Sequence, residues 1–290
     1  MSRLVYADGS MIPRQDAKVS VFDHGLLYGD GVFEGIRAYN GRVFKLAEHI
    51  RRLYESAHSI LLRIPLDQKE MEEAVLQTVR ANGFRDCYIR LVVTRGVGDL
   101  GLDPSKCGEP SVFIVADDII LYPEEAYRKG LPVMSVAVRR TAPDALSPRV
   151  KSLNYLNNVM AKAIANLAGV PEVLMLNQQG YVVEGTGDNV FIVRGRTLIT
   201  PAPYLGILEG VTRNTVMEMA SSMGFEVSEG VFSLHDVYVA DECFLTGTAA
   251  EIAPVTVVDG RAIGTGEPGP VTRRLMEGFR DLANSTGTPL

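Results

Sequence analysis

The segment RVKSLNYLNN, Arg149 to Asn158, sets one lysine, Lys151, ahead of Leu153, Tyr155 and Leu156 with no further charge in the run. Lysine is strongly hydrated and normally keeps its ammonium in water. One placed against apolar residues either snorkels to the surface or serves as an amine nucleophile, and the segment alone leaves both open. The other lysines are less apt. Lys69 lies among Glu70, Glu72 and Glu73, Lys106 and Lys129 fall in polar loops, Lys45 and Lys162 on the outer faces of amphipathic helices, and Lys18 in an exposed stretch. Lys151 has the least polar surroundings, and desolvation favours the neutral, nucleophilic amine.

Three further segments carry groups that could serve such an amine. In VVEGTGDNVF, Glu184 ends a short strand just before two glycines, where backbone can approach a ligand. In EGVTRNTV, Gly210 precedes a helix start with Thr212 in its first turn, and the free N–H groups there suit a phosphate. In LTGTAAEIAPV, Gly247, Thr248 and Ala249 follow a strand as small residues with one hydroxyl. Each also reads as a plain turn carboxylate, a capped helix or a tight turn. GTGEPG, Gly264 to Gly269, matches a dinucleotide fingerprint, but no second strand with an acid follows and Pro268 removes a needed N–H. It reads as a glycine turn feeding a proline-started helix.

The elements that must position these groups follow from periodicity. LVYADGSMIP is a hairpin turning at Asp8-Gly9, and Gly31 to Phe44 is strand, turn at Asn40-Gly41, and strand. KLAEHIRRLYESAHSI and LDQKEMEEAVLQTVRANG have helical spacing, the second closed by Asn82-Gly83. CYIRLVVTRG and SVFIVAD are buried strands. The charges and prolines of DDIILYPEEAYRKGLP mark a linker, after which strands alternate with the helices LNYLNNVMAKAIANLAG, EGVTRNTVMEMASSMG and PVTRRLMEGFRDLANS. The class expected is α+β, with a small N-terminal α/β domain over 1–118, a linker over 119–130 and a larger C-terminal domain over 131–290.

Bulk properties exclude several functions. The chain has 290 residues, 46% hydrophobic and 22% charged, with a formal net charge of −6. That balance argues against nucleic acid as a partner. Cys87, Cys107 and Cys243 form no CxxC, which suits a reducing compartment, and the four histidines do not pair at metal-ligand spacing, so no metal is expected. No stretch is long and apolar enough to read as a membrane span or signal peptide. The expected setting is cytoplasmic.

Taken together, YGDGVFEGIRAY (Tyr28 to Tyr39), HIRRL (His49 to Leu53), YIR (Tyr88 to Arg90), KSLNYLNN, EGTGDNVF, EGVTR and GTAAEI resemble, in family order, the class IV fold of pyridoxal-phosphate enzymes, in particular the branched-chain aminotransferases. The resemblance spans essentially the whole chain. It implies a two-domain fold with a C-terminal pseudo-barrel and pyridoxal 5′-phosphate between the domains. It also implies transamination of leucine, isoleucine and valine with 2-oxoglutarate and glutamate by ping-pong ketimine chemistry. Lys151 would hold the cofactor as a Schiff base and, once released, carry a proton between Cα and C4′. Glu184 would keep the pyridine nitrogen protonated. Arg52, Val211, Thr212 and Thr248 would bind the phosphate. Tyr155, four residues after Lys151 and on one helix face with it, would donate to the phenolic oxygen. Tyr88, Thr248 and Ala249 would hold the substrate α-carboxylate and Arg90 the second carboxylate of glutamate. Phe33, Gly35 and Tyr155 would wall the apolar side. Tyr28 and Leu102 would come from a neighbouring subunit, making a homodimer or higher homo-oligomer with a shared site.

The alternatives on the same fold are a D-amino-acid aminotransferase and an aminodeoxychorismate lyase. Arg95, in VVTRG, resembles a carboxylate-binding arginine of the D-specific enzymes, against which stands a plain surface charge. With no Trp in the chain, an aromatic wall from the linker would have to be another residue, such as Tyr122. Glu209 beside the phosphate cup would repel the anion and is expected to point outward.

Overall fold

The computed structural model describes residues 3–119 and 121–290. The chain divides into two compact units, one of Met1–Ile119, Val150–Asn154 and Ala283–Leu290, the other of Ile120–Arg149 and Tyr155–Leu282.

In the first unit, β1 (Leu4–Ala7) and β2 (Ser10–Pro13) form the expected hairpin. Asp8 and Gly9 both have positive φ, 46° and 88°, as a two-residue hairpin turn requires. After the short helix α1 (His24–Tyr28), β3 (Gly31–Tyr39) and β4 (Arg42–Val43) repeat the device at Asn40-Gly41. Helices α2 (Leu46–Ser59) and α3 (Gln68–Ala81) follow, the second started by a reciprocal Asp67–Glu70 capping box. With β5 (Cys87–Thr94), β6 (Ser111–Asp117) and the terminal strand Thr288–Pro289, the strands complete a seven-stranded sheet, ordered terminal strand, β4, β3, β5, β6, β1, β2. Strand alternation then sorts the side chains. Val32, Ile36, Ala38, Ile89, Leu91 and Val93 join Ile50, Leu53, Met71, Val75 and Val79 of the helices in one core. Phe33, Gly35, Arg37, Tyr88 and Arg90 face the other way.

In the second unit, α4 (Glu124–Lys129) precedes β7 (Leu131–Ser135), so the stretch expected as plain linker carries a helical turn. Helix α5 (Leu156–Leu167) is followed by β8 (Glu172–Leu176), β9 (Val182–Glu184), β10 (Asn189–Arg194) and β11 (Thr197–Pro201). Then come α6 (Val211–Ser222), β12 (Glu226–Gly230), α7 (Leu234–Tyr238), β13 (Glu242–Gly247), β14 (Glu251–Val258), β15 (Arg261–Ala262) and α8 (Pro270–Ser285). The sheet runs β12, β11, β10, β13, β14, β7, β8, β9, with β15 on β14. Strand β9 pairs back onto β10 through Glu184 and Asn189, which closes β10, β13, β14, β7, β8 and β9 into a barrel. These strands are near-continuous apolar runs because both faces are covered. Val190, Ile192, Leu245 and Val255 fill one cluster, and Val173, Met175 and Val183 pack with Ala161 and Ala165 of α5 in another. No described helix is long and apolar enough to cross a membrane.

One expected element differs in a way that matters. Lys151 and Tyr155 do not share a helix face, because α5 begins only at Leu156 with Tyr155 as its N-cap. Residues 151–153 run extended beside β3 instead. The Phe33 N–H donates to the Lys151 carbonyl at 3.0 Å, and the Leu153 N–H donates to the Gly31 carbonyl at 2.9 Å. The edge of β3 offered ladder bonds that outweighed the local helical preference.

Candidate active site

In the first unit the site grows from α2 and β3. His49, Arg52 and Ser56 follow one another at spacings of three and four along α2, so they lie on one helix face. The Lys151 N–H donates to Ser56 Oγ at 3.1 Å. Together with the bonds to β3, this holds the lysine's backbone on both sides. Its Nζ lies 4.3 Å from the centroid of the Phe33 ring, within range of a cation–π contact. Arg90 comes to the same ring, its Cζ 4.7 Å from the centroid, and donates from Nη2 to the Tyr88 hydroxyl at 2.9 Å. A Cβ on Gly35 would collide with that hydroxyl, so the glycine makes room for Tyr88. Phe33, Gly35, Tyr88, Arg90 and Lys151, singled out from sequence, thus form one cluster.

Arg52 is forked onto Glu34, Nε to Oε1 at 2.7 Å and Nη2 to Oε2 at 2.8 Å. His49 donates from Nδ1 to the same Oε2 at 2.8 Å. Burial alone would raise the Glu34 pKa, but Arg52 and His49 outweigh it and hold the carboxyl well below the usual range. Burial pushes the His49 pKa down, against the pull of Glu34, so the imidazole is neutral and its Nδ1 carries the donated proton.

Tyr28 donates its hydroxyl to the Leu100 carbonyl at 2.6 Å, which brings it to the loop that bears Leu102. Leu102 is 78% exposed and Leu100 70%, beside the exposed Phe22, Leu26 and Leu27.

In the second unit Glu184 stands at the barrel closure, buried. Its Oε1 accepts from Arg140 Nε at 2.6 Å, and its Oε2 accepts from the Leu208 N–H at 3.0 Å and, more weakly, from Asn189 Nδ2 at 3.5 Å. Asn189 also donates to the Leu208 carbonyl at 2.8 Å, fixing the approach to α6. A Cβ on Gly210 would strike Asn189 Oδ1, and one on Gly247 would strike Asp188 Oδ1, so both loops need glycine for close approach. Gly210 caps α6 with no side-chain hydrogen bond, leaving the first-turn N–H groups of Val211 and Thr212 without a side-chain cap. Thr248 and Ala249 form the turn between β13 and β14. Among the described residues the buried side-chain atoms lacking a partner are Asn158 Oδ1, Arg213 Nε and Thr246 Oγ1. Arg213 follows Thr212 and Thr246 precedes Gly247, next to the two segments expected from sequence to take the phosphate.

Several expectations are corrected. Arg95 is not a surface charge. It is 9% exposed, forked onto Asp30 at 2.9 and 3.0 Å, and donates to the carbonyls of Ile60 and Leu61, where it closes the end of α2. Lys162 is only partly exposed, bound to the Pro171 carbonyl and to the buried Glu172. Tyr122 is buried in the barrel core and donates to Asp188 at 3.4 Å. Glu209, by contrast, keeps to its expected outward position, partly exposed and paired with the exposed Arg149 at 2.6 Å. Sequence reasoning passed over Glu34, Ser56, Arg140 and Asn189. Glu34 had a readable signal as the one acid in the buried strand GVFEGIRAY. Arg140 had none, because its partner lies far along the chain.

Residues 31–258 match the family model for amino-transferase class IV. A putative branched-chain-amino-acid aminotransferase from Methanocaldococcus jannaschii is 56% identical over 98% of this chain and 97% of its own length. The branched-chain amino acid aminotransferase from Thermobaculum terrenum, solved in its PLP-form, superposes with a TM-score of 0.89 at 34% identity, covering 98% of this chain and 94% of that one. The Escherichia coli branched-chain aminotransferase superposes with a TM-score of 0.95 at 35% identity, covering 99% and 96%. Similarity of this extent shows that the chain belongs to the class IV aminotransferase family.

Proposed function

We propose that this chain is a pyridoxal-phosphate-dependent branched-chain-amino-acid aminotransferase, passing the amino group of leucine, isoleucine or valine to 2-oxoglutarate. The observation that carries the reading is the pairing of functions in one chain: a lysine amine held over Phe33 and a buried carboxylate, Glu184, with its acceptor sites turned to donors. The residues fit the cofactor. A carboxylate has about four lone-pair directions, of which Arg140, Leu208 and Asn189 take three on Glu184, so a pyridinium N–H is accommodated. The uncapped start of α6 suits a phosphate, and the partnerless buried hydroxyl of Thr246 stands at the rim of the Gly247–Thr248 turn.

The chemistry that bound pyridoxal phosphate would supply is an electron sink for the pair left as Cα loses its proton. Lys151 Nζ would take that proton as general base and return it at C4′. Glu184 would hold a proton on the ring nitrogen, and Arg140 with the Leu208 N–H orients its carboxylate for that task. Arg52, Val211, Thr212 and Thr248 would bind the phosphate, and Tyr155 would donate to the phenolic oxygen. Tyr88, Thr248 and Ala249 hold the substrate α-carboxylate. Arg90, a fixed fork beside Tyr88, takes the second carboxylate of glutamate, while Phe33 and Gly35 line the apolar side. A homodimer with Tyr28 and Leu102 reaching the partner's site is supported by the apolar surface around them. Free Cys87, Cys107 and Cys243 accord with a cytoplasmic setting. We propose 1–118, 119–130 and 131–290 as small domain, linker and cofactor-binding domain, for which limited proteolysis within 119–130 is the check.

The D-amino-acid alternative leaned on Arg95, whose guanidinium is taken by Asp30 and the end of α2. Assaying L-leucine and D-alanine separately, each with 2-oxoglutarate, decides between the branches. Turnover with L-leucine is expected, and consumption of D-alanine alone would reverse the assignment. Sedimentation of the purified protein as a monomer would remove the shared site.

A further inference from the structure

Glu34 is fully buried on a strand whose neighbours on that face are apolar, and it meets two side chains of α2 at once. A buried ion pair contributes little net stability, since desolvating both charges offsets their attraction, and an apolar replacement is often as stable. What a bidentate fork does supply is geometry, because a planar guanidinium bound along its Nε–Nη2 edge is fixed in plane and direction. Both Glu34 oxygens take part: Oε1 receives Arg52 Nε, and Oε2 receives Arg52 Nη2 and His49 Nδ1. His49, 2% exposed, therefore stops the carboxylate from rotating about its own axis. The same helix carries Ser56, which receives the Lys151 N–H, and the same strand carries Phe33, which donates to the Lys151 carbonyl.

We infer that Glu34, locked by His49, is a positioning residue for the cofactor phosphate: it presets the Arg52 guanidinium in the orientation that receives the phosphate. The inference rests on the reading of Arg52 as a phosphate ligand given above. Glu34 touches neither substrate nor cofactor in this role. Its effect passes wholly through Arg52, so it is confined to ligands that carry a phosphate.

The test compares two ligands on the full-length chain stripped of cofactor: pyridoxal 5′-phosphate and pyridoxal, which lacks the phosphate. Dissociation constants are measured by equilibrium dialysis for wild type, Glu34→Gln, Arg52→Met and the double variant. Glu34→Gln turns an acceptor into a donor facing a guanidinium. Losing a charge-assisted fork should weaken pyridoxal phosphate by about ten- to a hundredfold. Pyridoxal affinity should stay as in wild type, and Glu34→Gln should add nothing once Arg52 is methionine. Equal weakening of both ligands would mean general damage and overturn the inference, as would unchanged phosphate affinity or additive effects. If Arg52→Met leaves the preference for the phosphorylated ligand intact, the phosphate role of Arg52 itself fails. If Arg52→Met abolishes that preference and Glu34→Gln does not, only the role of Glu34 fails. Should Glu34→Gln not fold, Glu34→Asp keeps the charge but retracts the fork by one methylene. It must show the same selective loss, and wild-type affinity in that variant refutes the idea.

Discussion

The region around α2 and β3 and the rim of the barrel at β9 and β10 both bury acids, and they treat them in opposite ways. Glu34 meets Arg52 and a histidine, and its pKa is held well below the usual range although burial opposes this. Asp188, at the barrel rim, is buried with the Tyr122 hydroxyl as a long-range donor and with Glu172 adding like charge, and its pKa is pushed up to about 7, chiefly by burial. Glu184, in the second unit, is buried as deeply as Asp188 and is furnished with Arg140 and a backbone N–H. The contrast in charge is between Glu34 and Asp188. Depth therefore does not decide the charge of a buried acid, and the partner set does. The two regions also grip differently. The first uses long side chains braced on a helix and a strand, and the second uses backbone and small residues at a barrel closure, where glycine allows close approach.

The hardest blow to this comparison comes from the amine. Lys151→Ala should lower turnover of L-leucine by at least about a thousandfold, since it would remove both the proposed covalent anchor and the proposed proton carrier. Cofactor should still enter non-covalently, and borohydride should no longer fix it to the protein. Residual turnover near wild type would show that another residue does the chemistry.

Next in size is Glu184→Gln, which should slow Cα-proton transfer by about a hundredfold or more while cofactor binding changes little. A solvent-exchange assay of the Cα proton reads this directly, and an unaltered exchange rate would exclude Glu184 from the ring-nitrogen role.

Stability against pH sharpens the contrast. Glu34 has a folded pKa below its unfolded one, so its contribution is present above about pH 4 and is lost as pH falls through the folded value. Asp188 has a folded pKa raised to about 7, above its unfolded one, so it costs stability progressively as pH rises from the unfolded value to that point. Asp188→Asn should thus raise the unfolding free energy at pH 8 and leave it nearly unchanged near pH 4. Glu34→Gln should instead flatten the acid limb. Urea titrations across this range would give parallel curves for the two variants if the regions did not differ.

The smallest effect belongs to Glu209→Gln. Its partner Arg149 has a side chain 61% exposed, and such a pair is worth about 0.5 kcal/mol or less. A marked gain in cofactor affinity would place Glu209 against the phosphate after all.

Much of this was legible in the residue string. Lys151 stood out because its neighbours lack charge, and Glu184, Thr212 and Thr248 because each sits at an element end beside glycine. Their partners were not legible. Arg52 could be proposed as a phosphate ligand, but nothing local showed that Glu34, 18 residues earlier, would fork it. Arg140 meets Glu184 across 44 residues, and Arg95 meets Asp30 across 65.

Local physics thus settled the turns at Asp8-Gly9 and Asn40-Gly41, the capping of α3 and the apolar stripes of α2 and α5, because φ sign, capping and periodicity depend on residues a few positions apart. Tertiary structure alone decided that Lys151 lies in an extended segment against β3, that Arg95 is buried, and which acids are ionised. Those outcomes depend on ladder edges, desolvation and counter-charges supplied by distant parts of the chain, and no spacing rule carries that information.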